Sequence, residues 1–159
     1  RNIQNVMKVQ DNYLDSEEFN RLREFIMGDR IPWYYSNGVV HPGDGRYQLT
    51  NSFDTGDSLN MLTPILFKMG VTKISRVKAN WQAKTDTIIE NPFHTDGPVV
   101  CETSIFYINT CDGYTKFENG DIVNSVANRL VTFPSQTKHC GTTCTNASRR
   151  IVINFNYFT

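Results

Sequence analysis

The chain has 159 residues, 39% of them apolar and 20% charged, which is enough for a packed core and argues against disorder. Sixteen basic residues balance sixteen acidic ones, so no overall field recruits nucleic acid or an anionic membrane surface. No run approaches the ~20 apolar residues of a membrane span, and no signal-peptide pattern opens the chain.

Taken in order, the first clear element is a helix. Asp15-Ser16-Glu17-Glu18 reads as a capping box, Phe19, Leu22, Phe25 and Ile26 share one face, and Gly28 closes it. Trp33-Tyr34-Tyr35 and a Gly/Asp/Pro loop over 37–45 follow, read as a lid, a peptide groove or plain core. A second helix is predicted over 58–69, with Leu59, Leu62, Ile65, Leu66 and Met69 on one side. Pro64 must kink it or start its main part, and Gly70 ends it. Beyond Gly70 the segments 71–83, 99–109, 114–118, 129–133 and 150–158 are rich in β-branched and aromatic residues and are separated by turn signals. Helices followed by many short strands predict a mainly β chain with N-terminal helices packed on a sandwich or jelly roll. No linker or repeat divides it, so residues 1–159 are read as one domain.

The chemistry sits in His94-Thr95-Asp96 and His139. Two imidazoles and a carboxylate can grip one face of a ferrous ion and leave the opposite positions open. Composition alone yields a His-x-Asp triplet in roughly one such chain in five, so context has to carry the assignment. Two residues apart on an extended segment, His94 and Asp96 point to one side, and the intervening strands have length enough to bring His139 beside them. His41, in His41-Pro42-Gly43, reads as a solvated loop histidine. Cys140 and Cys144 lack the second pair that a zinc finger would need. The four cysteines (Cys101, Cys111, Cys140, Cys144) do not form a secreted disulfide pattern, and reduced thiols are expected.

The last strand adds independent weight. Ile151, Ile153, Phe155 and Tyr157 alternate with Arg150, Val152, Asn154 and Asn156. The second set is too polar for a core, yet it lies in a strand too apolar for an edge, so it is expected to line a wet cavity. Arg150, not Arg149, falls on that face, and its guanidinium suits the far carboxylate of a dicarboxylate. Tyr107 either donates to the same carboxylate or fills core. Asn80 is a weaker candidate for the cavity wall, and Trp81 reads as core.

These residues resemble the prolyl-hydroxylase-like branch of the 2-oxoglutarate/iron(II) oxygenases, closest to small members from marine viruses and bacteria. The likeness runs through Tyr34-Tyr35, Arg76-Val77-Lys78-Ala79-Asn80, His94-Thr95-Asp96, Tyr107-Ile108-Asn109, Gly113 to Phe117, Asn128 to Val131, and His139 to Phe158. It implies a double-stranded β-helix and Fe(II) on His94, Asp96 and His139. It also implies 2-oxoglutarate on an arginine of the last strand with a strand tyrosine assisting, and allows ascorbate as an accessory. The implied activity is C–H hydroxylation coupled to oxidative decarboxylation, in the cytoplasm of a bacterium or a virus-infected host cell. A peptide or protein side chain, proline first, is the implied substrate, with a free amino acid or other small molecule next. Where the branch carries Gly-Gly, this chain reads Asp112-Gly113-Tyr114-Thr115, which weakens any carry-over of substrate. Asp96 itself speaks against a halogenase, which lacks that carboxylate. The rival readings are a non-catalytic jelly-roll binding or structural module that keeps a metal, and a cupin-type metalloenzyme, which usually has more histidines.

Overall fold

The computed structural model describes residues 7–53 and 56–159. In chain order its elements are β1 (Lys8–Gln10), α1 (Ser16–Met27), β2 (Tyr34–Ser36), β3 (Gln48–Ser52), α2 (Gly56–Asn60), α3 (Thr63–Lys68), β4 (Lys73–Ala83), β5 (Glu102–Tyr107), β6 (Tyr114–Phe117), β7 (Ile122–Asn124), β8 (Arg129–Pro134), β9 (His139–Gly141) and β10 (Arg149–Phe158).

α1 starts where the capping signal places it: Asp15 Oδ1 accepts the Glu18 amide at 2.9 Å, satisfying a donor that the first turn leaves free. Phe19, Leu22 and Ile26 are buried on one face. The second predicted helix is broken into α2 and α3. Pro64 occupies the first turn of α3, where its missing N–H costs nothing, but it cannot continue a helix from the N-terminal side. The apolar side survives the break, because Leu62 and Ile65 are fully buried.

All five segments predicted as strands pair, and five shorter strands join them. The larger sheet has the order β1-β8-β5-β10-β4-β3-β2 and the smaller one β7-β6-β9, with antiparallel pairing throughout. Residues 90–94 run along β9 through the bridges Glu90↔Thr142 and His94↔His139, which widens the smaller sheet toward its partner. The two facing sheets form a double-stranded β-helix.

β10 lies between β4 and β5, so both its edges are hydrogen-bonded and it sits inside the sheet. Ile151, Ile153, Phe155 and Tyr157 join Phe19, Leu22, Ile26 and Ile65 in the main core beneath the helices. Each such side chain contributes about 1.5–3 kcal/mol of burial. Val152 turns the other way and meets Ile105, Tyr107, Phe117, Val123, Val131 and Phe133 between the sheets.

One irregularity decides what faces the interior. Asn156 pairs with Arg76, but the next residue, Tyr157, pairs with Ile74, so Ser75 is an extra residue in β4. Such a bulge re-aims the side chains on either side of it. Ile74 and Val77 therefore both reach the main core, and Arg76, Lys78, Asn80 and Gln82 all line the space between the sheets. Among the described residues no helix is long and apolar enough to cross a membrane.

Candidate metal centre and adjoining cavity

His94, Asp96 and His139 converge, with one ligand atom from each lying within 4.8 Å of the others. The backbone sets this spacing: His94 N–H donates to the His139 carbonyl and His139 N–H to that of His94, both at 3.0 Å. The imidazole orientations are fixed from behind. Nδ1–H of His94 donates to Pro92 O at 3.1 Å, and Nδ1–H of His139 to Thr137 O at 2.9 Å. That tautomer leaves each Nε2 lone pair free, and each Nε2 lies 3.5 Å from Asp96 Oδ1. A backbone carbonyl behind each ring is the usual support of metal-bound histidine. Phe133 packs edge-on against the His139 ring, with centroids 4.9 Å apart.

The Asp96 side chain is only 4% exposed. Burial alone would raise its pKa, but the polar neighbours His139, His94 and the Asn156 amide together hold it well below the usual carboxylate range. Asn156 Nδ2 donates to Asp96 Oδ2 at 3.1 Å and to Thr103 Oγ1 at 2.8 Å. Its Oδ1 accepts from Arg76 Nε at 3.3 Å, and Arg76 itself reaches to 3.7 Å from Asp96 Oδ1.

From this cluster a cavity of about 270 Å³ runs inward between the sheets. β4 contributes Arg76, Lys78, Asn80 and Gln82, β10 contributes Arg150, Val152 and Asn154, and Thr115 and Gly141 close the inner end. Val39, Val40 and His41 wall the outer side. Their loop is tied by Asp44, whose Oδ2 accepts the amides of Val39, Val40 and His41 at 3.0–3.3 Å.

Arg150 is 4% exposed, and burial pushes its pKa down. Its partners are all neutral: Ser125 Oγ at 2.7 Å, Thr142 O at 3.3 Å and Thr115 Oγ1 at 3.4 Å. A buried guanidinium without a carboxylate is costly unless an anion completes it. Arg149 points elsewhere, donating to Met27 O at 2.9 Å. Tyr107 lies beneath Arg150, with its ring centroid 5.7 Å from the guanidinium carbon. Its hydroxyl donates to Thr115 Oγ1 at 2.7 Å and not into the cavity. Thr115, unnoticed in the sequence, is thus the hydroxyl that borders the cavity there. Asn80 does line the wall, and its buried Oδ1 has no hydrogen-bond partner. Trp81 packs on the main core. His41 is exposed at the rim and is not part of the metal-ligand group, and no cysteine joins that group among the described residues. The four thiols are free.

Sequence reasoning missed Arg76, Lys78 and Gly113 as parts of the site. The β4 alternation that turns Asn80 to the cavity runs unbroken back through Lys78 to Arg76, and the bulge at Ser75 lies beyond them, so extending the alternation from Asn80 would have found both. Lys78 is half-buried in the cavity wall, and its amine is pushed below its ordinary value by burial and by Arg76, against the pull of Asp96.

Two imidazoles with free Nε2 lone pairs and one ionised carboxylate suit ferrous iron and leave coordination positions open. Arg150, which has no carboxylate partner among the described residues, suits a carboxylate ligand at the inner end.

No protein-family model matches the sequence, and no curated protein matches it. Solved structures do. A prolyl hydroxylase from Trichoplax adhaerens, solved with a hypoxia-inducible-factor oxygen-degradation-domain peptide, shares 14% identity over 98% of this chain and 84% of its own, with a TM-score of 0.70. An oxidoreductase of the 2OG-Fe(II) oxygenase family from Burkholderia pseudomallei shares 15% over 99% and 86%, with a TM-score of 0.68. A non-haem α-ketoglutarate-dependent epimerase of nogalamycin biosynthesis shares 11% over 98% and 78%, with a TM-score of 0.65. At such identities the likeness establishes the fold alone: a double-stranded β-helix with the architecture of these prolyl hydroxylase and 2OG-Fe(II) oxygenase structures.

Proposed function

We propose that this chain is an Fe(II)- and 2-oxoglutarate-dependent dioxygenase that hydroxylates a C–H bond of a peptide side chain or small molecule. The observation that carries the reading is the buried guanidinium of Arg150, whose partners among the described residues are all neutral, at the inner end of the cavity that His94, Asp96 and His139 flank.

In this reading His94, Asp96 and His139 hold the iron, and Arg150 with Thr115 holds the distal carboxylate of the co-substrate. When bound, the two supply the oxidising chemistry, in which 2-oxoglutarate and dioxygen give succinate, carbon dioxide and an oxygen atom for the substrate. The protein's own residues do the rest. Pro92 O and Thr137 O keep both histidines in the metal-binding tautomer. Asn156 and Arg76 keep Asp96 ionised and fixed in direction. Val39 and Val40 keep the outer wall apolar, so that water is held away from the reacting centre.

A non-catalytic jelly roll could keep a metal for stability, but it has no use for a dicarboxylate anchor. The same fold serves an epimerase, so hydroxylation is the outcome to be measured. Iron(II) and 2-oxoglutarate are added without oxygen, and the visible charge-transfer band of the chelate is sought. Oxygen is then admitted, succinate is followed with and without ascorbate, and candidate peptides and small molecules are examined for a gain of one oxygen. A band followed by succinate supports the reading. No band and no succinate would transfer the chain to the binding-module class.

A further inference from the structure

Four rungs of the β4–β10 ladder follow one another along the cavity wall. The Asn156–Arg76 rung stands at the metal ligands, and Asn154–Lys78, Val152–Asn80 and Arg150–Gln82 come after it. In the reading above 2-oxoglutarate spans this stretch, with its far carboxylate on Arg150 and its 2-oxo acid end beside His94, Asp96 and His139. Arg76 is matched by Asp96 and Asn156. That leaves Lys78 as the one cation between the two ends of the co-substrate.

Lys78 is half-buried and has no hydrogen bond or ion pair with any described residue. Such an ammonium is costly until an anion meets it. Across the ladder Asn154 Oδ1 is buried and has no donor, and an ammonium drawn over the wall completes that acceptor as well. Lys78 lies one rung from the metal ligands and two from Arg150. Its place is therefore that of the C1 carboxylate, not of the far one.

The C1 carboxylate is the part of the co-substrate that the proposed reaction removes. It departs as carbon dioxide, and the former keto carbon becomes the new carboxylate of succinate, one carbon nearer Arg150. We propose that Lys78 binds the C1 carboxylate of 2-oxoglutarate and thereby sets the preference of the site for co-substrate over succinate. The assignment rests on the oxygenase reading and adds product release to it. Once carbon dioxide has gone, Lys78 is again without an anion, while Arg150 keeps its hold on the far carboxylate.

The test uses the full chain loaded with iron(II), without oxygen. Binding of 2-oxoglutarate is read from the visible band, and glutarate and succinate are titrated against it as competitors. Glutarate keeps both carboxylates at the spacing of 2-oxoglutarate, and succinate is one carbon shorter. Lys78→Met is expected to weaken 2-oxoglutarate and glutarate by about tenfold to a hundredfold, the range of one hydrogen bond to a charged group, and to change succinate by no more than about twofold. Arg150→Ala should weaken all three, and Lys78→Arg should recover part of the loss. Calorimetric titration of the Mn(II)-loaded protein should give the same order without relying on the band. Ligand-free Lys78→Met should melt no lower than wild type, because the substitution removes an unmatched charge. Equal weakening of succinate and 2-oxoglutarate in Lys78→Met, or no weakening of either, would overturn the assignment. So would a lowered melting temperature of the ligand-free variant, which would show that the ammonium is already matched in the empty site. A missing band in wild type would instead overturn the oxygenase reading itself.

Discussion

A Cβ built on Gly113 would lie 2.6 Å from Arg150 Cδ and 2.7 Å from Thr143 O. The residue is glycine because the arginine passes over it. Gly141 is less tight, at 3.3 Å from Arg150 Nη1. Gly113→Ala must therefore displace either Arg150 or the backbone ahead of β6. Overpacking of this kind costs about 1–3 kcal/mol. Weaker 2-oxoglutarate binding, read from the visible band, is expected alongside a lowered melting temperature. Unchanged affinity with lowered stability would mean that the backbone moved and the arginine did not.

Arg150 and Arg149 should separate cleanly. Leaving a buried carboxylate without its charge partner costs about 3–5 kcal/mol, which is two to three decades of affinity. Arg150→Ala is expected to lose that much in 2-oxoglutarate binding. Arg149→Ala gives up a hydrogen bond to Met27 O and should affect stability alone. Small and equal effects on binding would sink the anchor.

Metal should stabilise the fold by mass action. A ligand at a hundred times its Kd adds about 2.7 kcal/mol. Iron(II) or manganese(II) without oxygen should raise the melting temperature of wild type, and a chelator should reverse it. His139→Ala should show neither change. A response that survives in His139→Ala would place the ion elsewhere.

The Asp44 turn gives a pH signature. Backbone amides, that of Val40 foremost, outweigh desolvation and lower its carboxyl from 3.8 to about 2. A depressed folded pKa means that the contribution is whole above the unfolded value and is lost as pH falls through the folded one. The stability gap between wild type and Asp44→Asn, taken from urea midpoints, should therefore shrink as pH falls from about 5 toward about 3. A gap that stays constant with pH would show that the carboxylate charge contributes nothing to the loop.

The parts of the site that follow local pattern were legible in the sequence. Alternation in β10 separated Ile151, Ile153, Phe155 and Tyr157 from Arg150, Val152, Asn154 and Asn156, and the structure keeps that division. The His94, Asp96 and His139 set was readable because ligand chemistry restricts residue types. The rest depended on distant pairing. β9 is three residues long and exists because β6 and residues 90–94 flank it, which no local propensity encodes. In β4 the alternation through Gln82, Asn80, Lys78 and Arg76 is regular and carries both cations inward, whereas the extra residue Ser75 hides that Ile74 returns to the core. Tyr107 looked free to bind a ligand because Thr115, its partner, lies on another strand.

The reciprocal backbone bonds between His94 and His139 bear on how the proposed iron would be held and exchanged. The gap between the two imidazoles is inherited from a rung of the sheet and owes nothing to an ion drawing loose loops together. Iron can then leave and be replaced while the ligands wait in position, so an oxidised or lost metal is a recoverable state. On the proposed function, synthesis of the chain and its activation would be separable events, and the supply of ferrous iron, not refolding, would set when the molecule begins to work.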